Sequence, residues 1–402
     1  MKDFFAPKID TAGKRHRAFR ADASRQAEAD RLNPLAALFI VLALAAAIVA
    51  GLFGPMQTGK PAPDIALSDC AFYTQVIGRL RAGEPYYAAA MDELRQRGQP
   101  VKPFVTVRPP TQAVLLAALP SEAARILCVR ALAIAVLLAW MSRFFTLGMK
   151  PLHCAAALLT LTSGVAMAFA PQAYLMHETW AGLLISLSLA LRSPNRWGAS
   201  VLVGLAAALV RELAAPYLLV MAVLALWEGR RMEAGAWLAA LAGFALALAL
   251  HAHAVHALLL ASDTAAPGWV TLGGWPFVLH AASWNVLALL GSPRWIAVLF
   301  PVALAGLALW PSPLGRRAAL TVFGYAAALF VVGRPVNFYW GLLIAPLWPL
   351  GLAMALPAAA QLRRRRCLRR PVGGGEASKT ARRRSIFRAP RTGQTLRLDR
   401  QP

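Results

Sequence analysis

Asp69 is the residue in this chain best placed to do chemistry. It lies just beyond the first long apolar run, in a polar excursion from about Met56 to Ser121 that also holds Ser68, Cys70, Tyr73, Tyr86, Tyr87 and Pro109-Pro110. A carboxylate held at a membrane surface can take a proton from a hydroxyl as that oxygen attacks an electrophile, the work of a general base. The alternative is structural: Ser68 or Asp69 as the N-cap of a helix opening near Ala71. The residues leave both readings open, whereas Asp64, between Pro63 and Ile65, reads as an ordinary loop acid.

Other ionisable groups interrupt otherwise apolar sequence at His177-Glu178, Arg211-Glu212, His251/His253/His256 and Arg334, with Asn337, Tyr339 and Trp340 close behind. Ionisable groups at membrane depth are costly and usually line a cavity or a path. Arg211 and Glu212 either neutralise each other at a turn, or Arg211 turns its planar fork toward a phosphate; Arg334 has the same two options. The histidines, at offsets of two and five, point around a helix in different directions. They fit hydrogen-bonded interfacial residues better than a metal site, which would need a further ligand such as Asp263.

The elements that must position these groups are apolar helices. Hydrophobic residues make up 58% of the 402-residue chain and charged ones 15%, a composition outside the soluble range. A hydrocarbon core of ~30 Å takes about 20 helical residues. Apolar runs near 34–54, 122–142, 152–171, 177–192, 198–212, 214–228, 234–254, 294–311, 317–333 and 337–359 give an all-α polytopic membrane protein of ten spans, or eleven if the apolar stretch from Trp275 to Leu290 also crosses. We expect that stretch to be interfacial or half-inserted, because an eleventh crossing would export the basic tail.

Charge sets the orientation. Of a formal net charge of +24, eight Lys or Arg residues precede Asn33 and fourteen follow Gln361. Basic flanks stay on the cytoplasmic side. The chain thus divides into a basic cytoplasmic segment at 1–33, a membrane domain at 34–360 with its extracytoplasmic loop at 56–121, and a basic, disorder-prone tail at 361–402. The basic short loops at 143–150, 195–196, 230–231 and 316–317 fall on the cytoplasmic side too, which puts the ionisable groups above on the outer side of a multi-pass cytoplasmic (inner) membrane protein. The termini fit anionic lipid better than nucleic acid. The first apolar run has no small-residue cleavage pattern and reads as a retained anchor. Four cysteines show neither ligand spacing nor a disulfide framework.

The loop has its own order. Residues 72–97 read as two short helices parted by Gly83-Glu84-Pro85, with Phe72, Val76, Ile77 and Leu80 on one face. Prolines 100, 103, 109 and 110 extend the chain before a short apolar segment, Thr111 to Leu119. No phosphate-cradling glycine loop, zinc-binding helix or serine elbow is present, so an activated substrate would arrive through the membrane.

Taken together, Ser68-Asp69-x-x-x-Tyr73, Gly83-x-x-x-Tyr87, Arg108-Pro109-Pro110, His177-Glu178-Thr-Trp180-Ala-Gly182, the run from Gly204 to Tyr217, and Gly333-Arg334-Pro-x-Asn337-Phe-Tyr-Trp340 resemble the GT-C integral-membrane glycosyltransferases, in particular the polyprenyl-phosphate-sugar-dependent enzymes of glycosyltransferase family 87, over roughly residues 60–350. The resemblance implies inverting transfer of a hexose, with mannose as the analogy, from a polyprenyl-phosphate donor to a hydroxyl of a glycolipid, polysaccharide or protein on the extracytoplasmic face, with no cofactor. Asp69 takes the place of the family's loop acid, and Tyr73, Arg108, His177, Glu178, Arg211, Glu212, Arg334, Asn337 and Tyr339 become substrate-binding candidates. Arg211 and Arg334 are the expected phosphate partners. Many such enzymes carry two adjacent acids in the loop, whereas Asp69 is flanked by Ser68 and Cys70, which weakens any metal role. Two other classes compete. A transporter or flippase of lipid-linked solutes needs polar groups along an inner path, and few are expected in the inner halves of the spans; a scaffold would act through the basic tail.

Overall fold

The computed structural model describes residues 34–54, 63–268, 271–290 and 292–355. The basic ends, 1–33 and 361–402, lie outside them. Among the described residues the fold is all-helical, with only two isolated β-bridges, Lys102 to Ala265 and Ser193 to Arg196. The first apolar run forms α1 (Pro34–Phe53). The loop supplies α2 (Pro63–Arg81), α3 (Tyr86–Gln96) and α4 (Thr111–Ala118). Next come α5 (Glu122–Thr146), α6 (Pro151–Val165), α7 (His177–Leu191), α8 (Gly198–Val210), α9 (Ala215–Trp227) and α10 (Arg231–His256). The chain continues through α11 (Gly274–Ala282), α12 (Val286–Leu289), α13 (Ile296–Ala308) and α14 (Pro313–Val331).

Among the described residues, four segments are long and apolar enough to cross a membrane: Glu122–Thr146, Pro151–Phe169, Arg231–His256 and Pro313–Val331. Val41–Phe53, Gly198–Val210, Glu212–Trp227 and Ile296–Ala308 are apolar but shorter. The run at 337–359 departs from the expected continuous helix. It opens as a 3-10 helix, Pro335–Leu343, and residues 341–350 are all buried. Prolines 335, 346 and 349 explain the departure, since each lacks the N–H that an α-helical ladder requires. The stretch at 275–290 breaks into α11 and α12; nine residues of α11 reach only ~14 Å, too short to cross. Asn285, whose side chain accepts from Leu287 N–H at 3.0 Å, restarts the chain as α12.

The 335–355 segment fits because glycines face it. A Cβ on Gly164 would lie 1.9 Å from the Ala345 carbonyl oxygen, and one on Gly182 would lie 2.2 Å from that of Leu342. Small residues of this kind let backbones approach closely in membrane bundles. Gly182→Ala is therefore expected to destabilise the protein by about 1–3 kcal/mol, the usual cost of overpacking, read as a lowered thermal midpoint in detergent. An unchanged midpoint would mean that the backbone separates at no cost.

The loop is a folded cap. Phe72, Val76, Met91, Leu94, Val101, Val107 and Val255 share a small core, so the cap packs on the end of α10. Arg95 holds both carboxylate oxygens of Asp263 at 2.8 and 2.9 Å, which keeps that carboxyl down at about 2. Thr264 O accepts from Val101 N–H at 3.1 Å. His251 bonds the Val107 carbonyl at 3.0 Å and the Tyr87 hydroxyl at 3.2 Å. The histidine group thus serves docking: His253 and His256 are exposed, and Asp263 is taken by Arg95.

Candidate active site between the cap and the helix ends

Asp69 sits inside α2, which begins at Pro63, so the N-cap reading is overturned: the helix opens about eight residues earlier than the expected start near Ala71. Proline suits a first helical turn, where its missing N–H has no intrahelical partner anyway. Helical spacing then puts Asp69 on the same side as Tyr73 and Val76, four and seven residues on. Burial pushes the Asp69 carboxyl above its ordinary range; Arg108 pulls it back, Glu178 raises it further and Arg97 lowers it.

Arg108 is set by what surrounds it in sequence. The residue before a proline is held extended, and Val107 anchors the other side in the cap core. Its guanidinium donates to Val105 O at 3.3 Å and stands 3.5 Å from Glu212 Oε1.

Arg211 and Glu212 occupy a break between α8 and α9. Arg211 is extended (φ −144°, ψ 114°), and Pro216 in the first turn of α9 cannot donate the bond that would continue α8 through the break. The break turns both charges inward. Arg211, 1% exposed, donates from Nε to Glu178 Oε1 at 2.7 Å and pairs with Glu212 as well. Glu178 belongs to the first turn of α7, where the helix dipole favours an anion. Arg211 is thus engaged by two carboxylates, one of them 33 residues away in sequence. It lines the cavity but is not a spare cation for phosphate.

These groups line one cavity of about 1130 Å³, together with Tyr73, His177, Arg334, Asn337 and Tyr339. All ten candidate residues drawn from the sequence line it. The His177 and Tyr73 rings pack at 4.8 Å. Arg334 follows α14 in extended backbone, and among the described residues it has no ion-pair or hydrogen-bond partner for its side chain. Three arginines (108, 211, 334) face three acids (69, 178, 212) across this space.

Sequence reasoning passed over one wall. Trp284 lines the cavity and stacks on Phe338 at 5.4 Å, and His280 stacks on the same ring at 4.2 Å. The signal was a Trp-Asn pair inside an apolar run that a lipid-facing helix would not need. Cavity-lining residues also carry buried polar atoms with no partner: Glu212 Oε2, Asn337 Nδ2, Trp284 Nε1 and Trp340 Nε1. Buried polar groups are normally hydrogen-bonded, so these four have hydrogen-bonding capacity that no described residue satisfies. No three His, Cys, Asp or Glu side chains among the described residues converge as a metal site.

The chain matches no family model, no curated protein and no solved structure. Its function must be argued from the cavity.

A second polar group joins the C-terminal part of α7, the start of α8 and the first turn of α9. Ser188, Ser200 and Tyr217 bond one another, with Ser188 Oγ 2.7 Å from the Tyr217 hydroxyl and 2.6 Å from Ser200 O. These polar side chains satisfy each other and tie α7, α8 and α9 together.

Proposed function

We propose that this chain is a GT-C-type glycosyltransferase that moves a hexose from a polyprenyl-phosphate donor to a hydroxyl acceptor with inversion. The observation that carries this reading is the cavity itself. Its lining brings together a carboxylate of raised basicity, an arginine with no ion-pair or hydrogen-bond partner among the described residues, unpartnered hydrogen-bonding groups and an aromatic wall.

The acceptor oxygen attacks the anomeric carbon while its proton passes to Asp69. The bond from that carbon to the phosphate oxygen breaks, and the electron pair leaves with the polyprenyl phosphate. Arg334 meets the phosphate charge, with Arg108 beside it, so preorganised cations stabilise the leaving group where charge develops. Once Arg334 is paired with phosphate, the cavity holds three acids against two remaining arginines. That excess favours proton uptake by Asp69, whose carboxyl already lies above the usual range. Asn337, Trp340 and the free oxygen of Glu212 are suited to sugar hydroxyls. Trp284 and Phe338 offer an apolar face to the sugar ring or the first isoprene.

In this reading the chain crosses the inner membrane ten times with both termini in the cytoplasm and the cavity on the outer side. The arginine-rich ends of α7, α10 and α14 support that orientation. His177 and Arg192 bracket α7, which spans ~22 Å, so the cavity and Arg192 lie at opposite ends of that helix.

The test is sugar transfer in membranes supplied with radiolabelled polyprenyl-phosphate mannose or glucose. Labelled acceptor whose anomeric configuration is opposite to that of the donor is the expected product. Movement of intact donor across the bilayer without transfer would sink the enzyme reading in favour of the transporter.

A further inference from the structure

The second charged centre carries an inference of its own. Arg192 gives Nε and one terminal nitrogen to the two oxygens of Glu233, at 2.9 and 2.8 Å. Arg317 gives its two terminal nitrogens to the two oxygens of Glu228, at 2.8 and 2.7 Å. Both arginines are buried, at 2% and 0% exposed, and each pair is bidentate. Those two pairs already neutralise both glutamates. Arg230 then adds itself to Glu233, and Arg316 adds itself to Glu228 at 3.2 Å, bringing two positive charges to carboxylates that are already matched.

The result is four arginines against two glutamates, joined further by Arg192 to Glu228 at 3.4 Å. Like charges at this spacing repel, and the protein relieves them only partly. Arg317 Nε is buried without a partner, and so is Nε of Arg143, in the last turn of α5. The two surplus arginines are the accessible ones: Arg230 is 27% and Arg316 54% exposed. They stand at the N-termini of α10 and α14, at the end of the bundle remote from the cavity.

We propose that this cluster is a binding site for a phosphate-bearing anion, with Arg230 and Arg316 as its contact residues and the buried pairs as its scaffold. Arginine's planar fork matches phosphate oxygens, and helix N-termini add partial positive charge. The chemistry is common to an anionic lipid headgroup and to soluble phosphate. The site is separate from the sugar-transfer cavity, and the proposal does not depend on that activity.

The experiment measures the thermal midpoint of the full-length protein in phosphatidylcholine nanodiscs, in nanodiscs containing phosphatidylglycerol, and in phosphatidylcholine nanodiscs with added inorganic phosphate. A ligand that binds the folded form raises the midpoint. Wild type is expected to rise with phosphatidylglycerol, and Arg230→Gln/Arg316→Gln is expected to lose about half of that rise or more. The basic ends are identical in both proteins, so the lost portion belongs to the cluster. A comparable rise with inorganic phosphate, also lost in the double variant, would identify soluble phosphate as the ligand. Equal rises in wild type and variant, or no rise in any condition, would overturn the proposal. Arg316→Gln alone, at the more exposed position, serves if the double variant does not fold.

Discussion

Asp69→Asn is expected to fold and bind donor normally while transfer falls by about 10²–10⁴-fold, the usual contribution of a positioned general base. Its effect on stability runs in the opposite direction to its effect on rate. Burial raises the folded-state pKa of this carboxyl, so folding disfavours the ionised form. The stability contributed by such a group is complete below its unfolded pKa and is lost as pH rises through the folded value. Wherever this carboxylate is ionised in the folded protein, the wild type bears the cost of burying its charge, and asparagine removes that cost. The variant's midpoint at neutral pH should equal or exceed that of wild type, and the difference should vanish in acid. The rate has its own pH signature: the acidic limb of the wild-type profile should fall through a pKa above the ordinary aspartate range. Near-normal turnover by the variant would remove Asp69 from the mechanism. A loss of folded protein would instead give it a structural role that its raised pKa does not predict.

What the sequence disclosed follows from the range of the interactions. The two loop helices were readable because Gly83-Glu84-Pro85 breaks the chain locally, and Gly83 adopts φ 93°, where a side chain is strained. The start of α2 was not, because Pro63 looks the same in a linker as in a first helical turn. The grouping of polar residues at one end of the bundle followed from alternating spans, which needs only hydropathy and charge. The partners did not follow, since Arg211 and Glu212 are adjacent but Glu178 reaches Arg211 only through the packing of α7 beside the break after α8. The same limit applies to the short basic segments. Arg316 and Arg317 read as a basic short loop, yet Arg317 is fully buried and paired with Glu228. At 335–355, apolar composition reads as a span whether the segment faces lipid or protein; its prolines were visible, but the glycines that receive it lie on α6 and α7.

Arg211 and Arg334 carried equal expectations from the sequence, and the structure separates them into opposite outcomes. Arg211→Gln leaves Glu178, 4% exposed, without its cation. Removing one partner of a buried pair costs ~3–5 kcal/mol, because the remaining charge cannot be solvated. That is a large part of the stability of most domains, so this variant should give little monodisperse protein on gel filtration whatever its chemistry. Arg334→Gln removes a cation that no group among the described residues pairs with, and its fold and thermal midpoint should stay near wild type. The loss should appear in donor use: a charge-assisted hydrogen bond worth ~1.5–3 kcal/mol corresponds to about a 10- to 150-fold fall in kcat/KM for donor. If the leaving phosphate gathers charge only in the transition state, the fall lies in kcat; if Arg334 holds the ground-state phosphodiester equally well, it lies in KM. A stable, fully active Arg334→Gln would detach Arg334 from the phosphate and return that role to Arg108, which already stands 3.5 Å from Glu212.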